Sequence, residues 1–348
     1  MPPDPALLAV ATAVPAHRLP QGEMRAFADR LFPRRPREKL EPLLPAFEAA
    51  GVETRWIAVP MEWLAEPHGW PERTRLYRRH AVALLKEAAG KALAGAGLAP
   101  QEIDALAVVS TTGIAVPSLD ALLMEELPFR RDVVRLPLFG YGCAGGVLGL
   151  ARAADLARAL PGRRVLFLAV ELCSLTYRVQ DPTKSNVSAA ALFGDGAAGA
   201  VLGPGEGSLP RIAAGGERTW EGSLAIMGWR VERDGLGVLF SRHIPRFVER
   251  ELAPALRAFL AERGLAVADI DAFALHPGGA KVLAAYQEAL GLEAEALAPA
   301  RAVLRDYGNM SSVTVLFVLE RLWRRPFRRC LMLAPGPGFT VGFQLLER

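Results

Sequence analysis

The chain repeats itself, and the repeat sets its architecture. LAGAGLAPQEIDALAVVSTTG (93–113) lines up with LAERGLAVADIDAFALHPGG (260–279), displaced by 167 residues from Gly97 to Gly264 and from Ile103 to Ile270. Next, YGC becomes YGN at a displacement of 166 (Cys143 to Asn309), and GRRVLFLAVE becomes FRRCLMLAPG at 165 (Arg163 to Arg328). Three matches in one order at nearly one offset indicate a duplicated unit. Each copy reads strand, helix, strand, short turn, helix, strand. The strands are short continuous apolar runs suited to burial on both faces, and the helices carry apolar residues at three- and four-residue spacing, as at Leu148, Leu156 and Leu160. The class is therefore α/β, in two pseudo-symmetric halves, 1–204 and 205–348. Relative to that plan, 16–90 reads as a helical insertion and the segment around 205–250 as a second one. Each half closes on a Gly-rich, hairpin-like stretch, FGDGAAGAVLG and GPGFTVGFQLL. The strand ends of both halves should meet near the pseudo-twofold axis.

Chemistry-bearing residues fall at the repeated positions. Cys143 lies between glycines in GYGCAGG, just ahead of a helix. Glycines there permit a sharp turn and close approach by a substrate, and the helix dipole favours the thiolate. A small residue packed in a tight turn accounts for the same segment equally well. Its counterpart Asn309, in YGNMSS, is either a helix N-cap or an uncharged N–H donor aimed at a developing oxyanion. His276, in FALHPGGAK, follows the second half's equivalent of the strand ending at Thr111, which brings it to the same end of the core. His17, His68, His80 and His243 read as surface residues. A thiol, an imidazole and an amide converging from two halves suit acyl transfer with enolate stabilisation better than proteolysis.

Composition narrows the rest. The 348 residues are 51% hydrophobic, enough for a large core, and the net charge is +4 with arginine supplying most of the positive charge. FPRRPREK, RTRLYRRH and RLWRRPFRR have no interleaved aromatic groove, so no nucleic-acid partner is expected, whereas a small polyanion would suit the charge. Cys143, Cys173 and Cys330 are far apart with no CxxC pair, which argues against disulfides, against a metal site and for a reducing cytoplasm. Cys173 and Cys330 read as packed strand residues. The apolar N-terminus lacks a basic leader and reads as a first strand, and no segment reaches membrane-spanning length. GDGAAG (194–199) matches a dinucleotide-binding pattern, but a strand and turn follow it instead of a helix.

Together GYGCAGG, ALFGDGAA, HPGGAK and YGNMSS, with 133 residues from Cys143 to His276 and 33 more to Asn309, resemble the type III polyketide synthases, the chalcone-synthase-like branch of the thiolase superfamily. The resemblance is strongest from about residue 100 onward and weak over 16–90. It implies a thiolase-like five-layered αβαβα fold and a homodimer. It also implies a decarboxylating acyltransferase that uses acyl-CoA and malonyl-CoA as substrates and needs no further cofactor. Carried over, Cys143 is the acyl-accepting nucleophile. His276 sustains its thiolate and, with Asn309, holds the malonyl thioester carbonyl. Phe193 is the gate between CoA tunnel and cavity, and Lys281 contacts CoA phosphates. Thr111, Thr176 and Ser311 match small hydroxyl residues of the cavity. Val116 replaces a methionine that crosses the dimer interface in plant members, Val238 replaces a second gating phenylalanine, and Trp229 lies near a position that is glycine in chalcone synthases. These departures point to a bacterial-type enzyme making a pyrone, a resorcinol or another aromatic polyketide. A ketoacyl-(acyl-carrier-protein) synthase III shares the Cys-His-Asn set, but its histidine motif reads more like His-Gln-Ala-Asn. An inactive acyl-CoA-binding scaffold of the same fold is the alternative outside enzymology.

Overall fold

The computed structural model describes residues 4–181, 183–241, 243–323 and 325–348. Thirteen strands occur in it: β1 Ala6–Ala13, β2 His17–Pro20, β3 Thr54–Ile57, β4 Ala105–Val109, β5 Val134–Leu138, β6 Val165–Leu172, β7 Asp195–Gly203, β8 Arg211–Thr219, β9 Met227–Val231, β10 Leu236–Phe240, β11 Ala272–Leu275, β12 Arg329–Gly336 and β13 Thr340–Glu347. Nine form one sheet in the order β11-β12-β13-β8-β1-β7-β6-β4-β5, and β2–β3 and β9–β10 are separate ribbons. Only the pair Ala6↔Arg211 joins β1 to β8, so the sheet is two half-sheets meeting at one point. The order β1-β7-β6-β4 recurs as β8-β13-β12-β11, and in each copy the innermost pairs are antiparallel and the outer pair parallel.

The repeated sequence forms repeated structure in detail. Gly97 and Gly264 end helices in the left-handed conformation, at φ 67° and 68°, which glycine adopts without a Cβ penalty. Two residues on, the Ala99 and Ala266 N–H groups donate to Glu102 Oε2 and Asp269 Oδ2 at 2.9 and 2.8 Å. Asp104 then accepts the Arg164 N–H at 2.9 Å, and Asp271 accepts those of Arg328 and Arg329 at 2.8 and 2.7 Å. Each Asp thus fastens the start of one parallel strand to its neighbour, which is what the shared ID in the sequence does.

Helices complete the layers. We label α1 Trp70–Ala96, α2 Gly145–Ala159, α3 Lys184–Leu192, α4 Ala253–Ala261, α5 Ala280–Leu290, α6 Ala298–Tyr307 and α7 Thr314–Trp323. The equivalent helices α2 and α7 lie between the half-sheets. A methyl at Gly149 would strike Phe167 of β6 at 2.6 Å, and one at Gly342 of β13 would stand 2.9 Å from Leu148. Helix α1 covers the outer face of the first half-sheet over Gly199, and Phe259 of α4 covers the second, stacking on Phe343 at 5.2 Å. The result is α/β/α/β/α. Strand β6 is buried along its whole length because α1 and α2 take opposite faces, which explains why its sequence is apolar except for Glu171.

Three sequence expectations need correction. The segment 205–250 is not wholly an insertion, because β8 within it is the counterpart of β1; its glycines and exposed end hid it. The region 16–90 is not wholly helical, since β2 and β3 pair across it and its long helix α1 is a layer of the core. In the first half, β6 and β7 are antiparallel neighbours but no tight hairpin, because α3 is inserted between them. GDGAAG leads into β7, with no helix start after it.

Candidate active site

Two equivalent turns build the site. Cys143 sits in a 3₁₀ turn, Gly142–Ala144, that runs into α2, and Ser311–Val313 is the matching turn ahead of α7. Gly142 has φ 49° and lies against Pro337 of the β12–β13 connection, where a Cβ would stand 2.5 Å from the ring. Its N–H donates to Thr111 Oγ1 at 3.1 Å, tying the cysteine turn to the end of β4. Gly146 allows α2 to meet the second half, since a methyl there would overlap the Ser312 carbonyl oxygen.

Asn309 is held from both sides of its peptide. Its N–H donates to the Leu192 carbonyl at 2.9 Å, and its carbonyl accepts from Gly194 at 3.0 Å. The side-chain Oδ1 accepts the Ser311 N–H at 2.8 Å, so the amide oxygen performs the turn-capping role. The amide nitrogen faces the Gly278 carbonyl at 3.4 Å, and Asn309 and Ser311 both reach the Cys143 thiol. Ser311 has φ 51°, the one non-glycine residue among those described in the left-handed region. His276 follows β11, donates its N–H to Leu333 at 2.8 Å and accepts the Gly278 N–H at 2.9 Å. Its ring is buried and both ring nitrogens lack a hydrogen-bond partner. The path Cys143–Asn309–Gly278–His276 therefore brings the three residues of the sequence reading into one locality.

The electrostatics correct one expectation. Cys143 keeps a partly exposed face, yet its thiol is pushed up to about 12, first by burial. Hydrogen bonding to Ser311 and Asn309 opposes that rise, and the Glu171 carboxyl adds to it. Burial lowers His276 to about 3. The helix dipole therefore does not by itself offset burial, and each group taken alone is neutral at pH 7. Each isolated charge is penalised by lost solvation.

The proposed cavity residues divide. Phe193, the residue that ends α3, places its ring 6.4 Å from Trp229 and 6.3 Å from Phe240. Val238 pairs with Trp229 across the β9–β10 ribbon and is buried. Thr111, Thr176 and Ser311 are buried, but the Thr176 hydroxyl donates to the Cys173 carbonyl at 2.7 Å. Lys281 is exposed in the first turn of α5. Val116 stands apart from this cluster, 87% exposed beside a cis peptide to Pro117. Cys173 and Cys330 are buried free thiols; Cys330 is in β12 as expected, but Cys173 opens the 3₁₀ turn after β6 and is not a strand residue. Of the histidines read as surface residues, His17 and His243 are exposed and His80 is half-buried. His68 is not: its ring stacks on Trp63 at 3.8 Å and bonds to Glu72 and the Trp63 carbonyl.

Sequence reasoning missed three buried groups. Glu171 of β6 accepts the Thr111 N–H, the Thr112 hydroxyl and the Ser312 hydroxyl at 3.0, 2.9 and 2.7 Å, bridging the two halves behind Cys143. Burial pushes its carboxyl up. A lone acid inside RVLFLAVELC was the available signal. Tyr286 of α5 is fully buried with an unpartnered hydroxyl, and Arg55 of β3 is fully buried against the end of α3. Neither stands out in its local sequence.

Comparison with known proteins follows the same division of the chain. Residues 4–206 match the N-terminal domain of chalcone and stilbene synthases, and 221–346 match the C-terminal domain. The chain is 40% identical to a 1,3,6,8-tetrahydroxynaphthalene synthase of Streptomyces peucetius, over 97% of this chain and 92% of the relative. It is 37% identical to a putative chalcone synthase of Bacillus subtilis, over 96% of each. The crystal structure of the tetrahydroxynaphthalene synthase of Streptomyces coelicolor superposes with a TM-score of 0.93 at 31% identity, covering 98% of this chain and 99% of that one.

Proposed function

The chain belongs to the chalcone and stilbene synthase family and is a type III polyketide synthase of thiolase-like fold, and on that premise we propose how its own residues divide the reaction. It is an acyltransferase of the condensing type, and the relatives favour neither a carrier-protein-dependent enzyme nor an inactive scaffold. Cys143 Sγ gives its proton to the His276 imidazole and attacks the carbonyl carbon of a starter acyl-CoA. The tetrahedral intermediate expels the CoA thiolate, which takes the proton back from His276 and leaves as CoA-SH. Malonyl-CoA then enters with its thioester oxygen toward an imidazole N–H of His276 and the amide N–H of Asn309. Loss of CO2 places the electron pair on that oxygen as an enolate, which two preorganised donors stabilise in a water-poor site. The enolate carbon attacks the acyl-Cys143 carbonyl and forms the new C–C bond. Thiolate leaves, and the lengthened acyl-CoA can reload on Cys143. Repetition and ring closure give an aromatic polyketide or pyrone.

The observation that carries this reading is the pairing of unlike residues at equivalent turns. Cys143 lies in one, Asn309 stands two residues ahead of the other, and linked to Asn309 through Gly278 is a buried imidazole with both nitrogens unengaged and no carboxylate bonded to it. Such an imidazole suits accepting one proton and donating a hydrogen bond. The expected outcome is that Cys143→Ala gains no acyl mass from acyl-CoA, whereas Asn309→Ala is acylated but releases little 14CO2 from labelled malonyl-CoA. Acylation of Cys173 or Cys330 in the wild type would refute the assignment.

The reading includes a homodimer. Ile114, Val116 and Phe139 expose apolar side chains beside the open edge strand β5 and a cavity of about 260 Å3 lined in part by the buried Asp120, whose carboxylate stands 3.7 Å from Arg135. A second copy covering that face would protect the edge. Sedimentation of wild-type protein at the mass of a single 37.5 kDa chain would exclude it. No helix among the described residues is long and apolar enough to cross a membrane, and with three free thiols this supports a cytoplasmic enzyme. The route as written uses CoA thioesters and no further cofactor.

A further inference from the structure

The carbonyls at the end of α3, Ala190 to Phe193, are all occupied; Arg55 and Asn309 together reach all four, and Gln21 Nε2 adds a second donor to Ala191 at 2.9 Å. Arg55 Nη1 donates to the Ala190 and Phe193 carbonyls at 2.5 and 2.9 Å, and Nη2 donates to Ala191 at 2.8 Å and to Gln21 Oε1. The remaining carbonyl, Leu192, receives the Asn309 N–H at 2.9 Å. Helix ends leave such carbonyls without intrahelical partners, and a cation there also meets the negative end of the dipole. A planar guanidinium holds its donors in a fixed fork that matches these carbonyls, whereas an ammonium is a point charge on a flexible stem that does not hold that geometry. The arginine is fully buried, so these bonds are not shared with solvent. Tyr177 gives the Phe193 carbonyl its second donor at 2.8 Å. The fit around this joint is tight. A methyl at Gly308 would stand 2.7 Å from the Leu192 carbonyl, and one at Gly194 would overlap the Tyr307 carbonyl oxygen.

We propose that Arg55 is a positioning residue for the condensing reaction, capping α3 so that Phe193 and the Asn309 peptide are fixed together. Arg55 comes from β3, in a ribbon outside the main sheet, and its hydrogen bonds reach neither Cys143 nor His276. Its removal should therefore disturb the steps that need Asn309 and spare the step that needs only the thiol. This prediction rests on the assignment of decarboxylation to Asn309, and the experiment separates the two.

Arg55→Lys, Tyr177→Phe and Asn309→Ala are compared with wild type in two half-reactions, each normalised to Cys143 that can be alkylated. The first is starter loading on Cys143, followed by intact mass. The second is CO2 release from malonyl-CoA. Arg55→Lys should load within about threefold of wild type, while decarboxylation falls about 10²-fold, the cost of a misplacement of about 1 Å in a reacting geometry. Tyr177→Phe keeps the arginine and loses one donor to Phe193. It should show the same split at about threefold to tenfold, and it decides the question if Arg55→Lys does not fold. Equal loss of both half-reactions would make Arg55 merely structural and overturn the proposal. If Asn309→Ala itself decarboxylates normally, the reading of the site fails first. If Asn309→Ala is impaired while Arg55→Lys and Tyr177→Phe are not, only the positioning role fails.

Discussion

Replacing His276 with alanine tests the electrostatics of the site directly. Burial raises the Cys143 thiol to about 12 and lowers His276 to about 3, so neither carries its charge alone at neutral pH. Moving the proton from Sγ to the imidazole changes no net charge, and the two charges formed attract one another in a low-dielectric site. On the proposed division of roles the wild-type thiolate depends on His276, and His276→Ala should leave the thiol at its raised value. With a pKa of about 12, the thiolate is about one part in 10⁵ at pH 7 and gains about tenfold for each pH unit up to 12. The assay is second-order inactivation by iodoacetamide between pH 6 and 10, with labelling mapped to Cys143. Wild-type rates should change little between pH 7 and 9. His276→Ala should be slower by about 10² or more at pH 7 and climb with a slope near one per pH unit. Part of the full 10⁵ is offset because a less basic thiolate is also less nucleophilic. Parallel profiles for the two proteins, or a neutral-pH plateau in His276→Ala, would refute the coupling.

Two more outcomes follow from the same structure. Burial raises Asp195 from an ordinary 3.8 to about 6, against hydrogen bonds from Ser174 and Ala58 and the nearby Arg55. A raised acid favours the fold while protonated, so its contribution is complete below pH 3.8 and is lost as pH rises through 6, at a cost of about 3 kcal/mol. In urea unfolding, wild type should lose stability relative to Asp195→Asn between pH 4 and 6.5, and a pH-independent difference would contradict the buried, raised carboxyl. Trp229→Ala removes the indole 6.4 Å from the Phe193 ring. Liquid chromatography–mass spectrometry over a series of acyl-CoA starters should show longer chains accepted, and an unchanged starter profile would place Trp229 outside the cavity wall.

The duplication was legible because each repeated motif has a local physical job. Gly97 and Gly264 need the left-handed conformation, and Asp104 and Asp271 each bind a neighbouring strand's N–H. Such roles survive sequence divergence at fixed spacing. Strand β8 was hidden because only Ile212 of RIAAGGERT is fully buried, and its adjacent glycines add no apolar surface, Gly215 facing Ala151 of α2 and Gly216 making room for Phe259 of α4. Arg55 was illegible for a different reason. Thr-Arg-Trp-Ile in a polar segment reads as an exposed basic residue, and its burial depends on carbonyls more than 130 positions away. His68 differs too, since Trp63, five residues before it, supplies the ring that covers it.

The same contrast explains how a duplicated fold supports an asymmetric reaction. Two equal turns deliver two side chains to one place, but acyl transfer and enolate stabilisation need opposite properties there. One position must become an electron-pair donor, and the other must donate a hydrogen bond without ever being charged. Cysteine and asparagine meet those demands at small size, so the turns keep their glycines and their approach to one another. The half-specific additions then set what the turns cannot. Helix α3 interrupts only the first half, and it ends on Phe193 beside the second half's Asn309. An insertion on one side of the pseudo-twofold axis thus places the proposed gate against the group that would bind the extender. Changes at the end of α3 should therefore alter chain selection and decarboxylation together, while changes at the Cys143 turn alter loading.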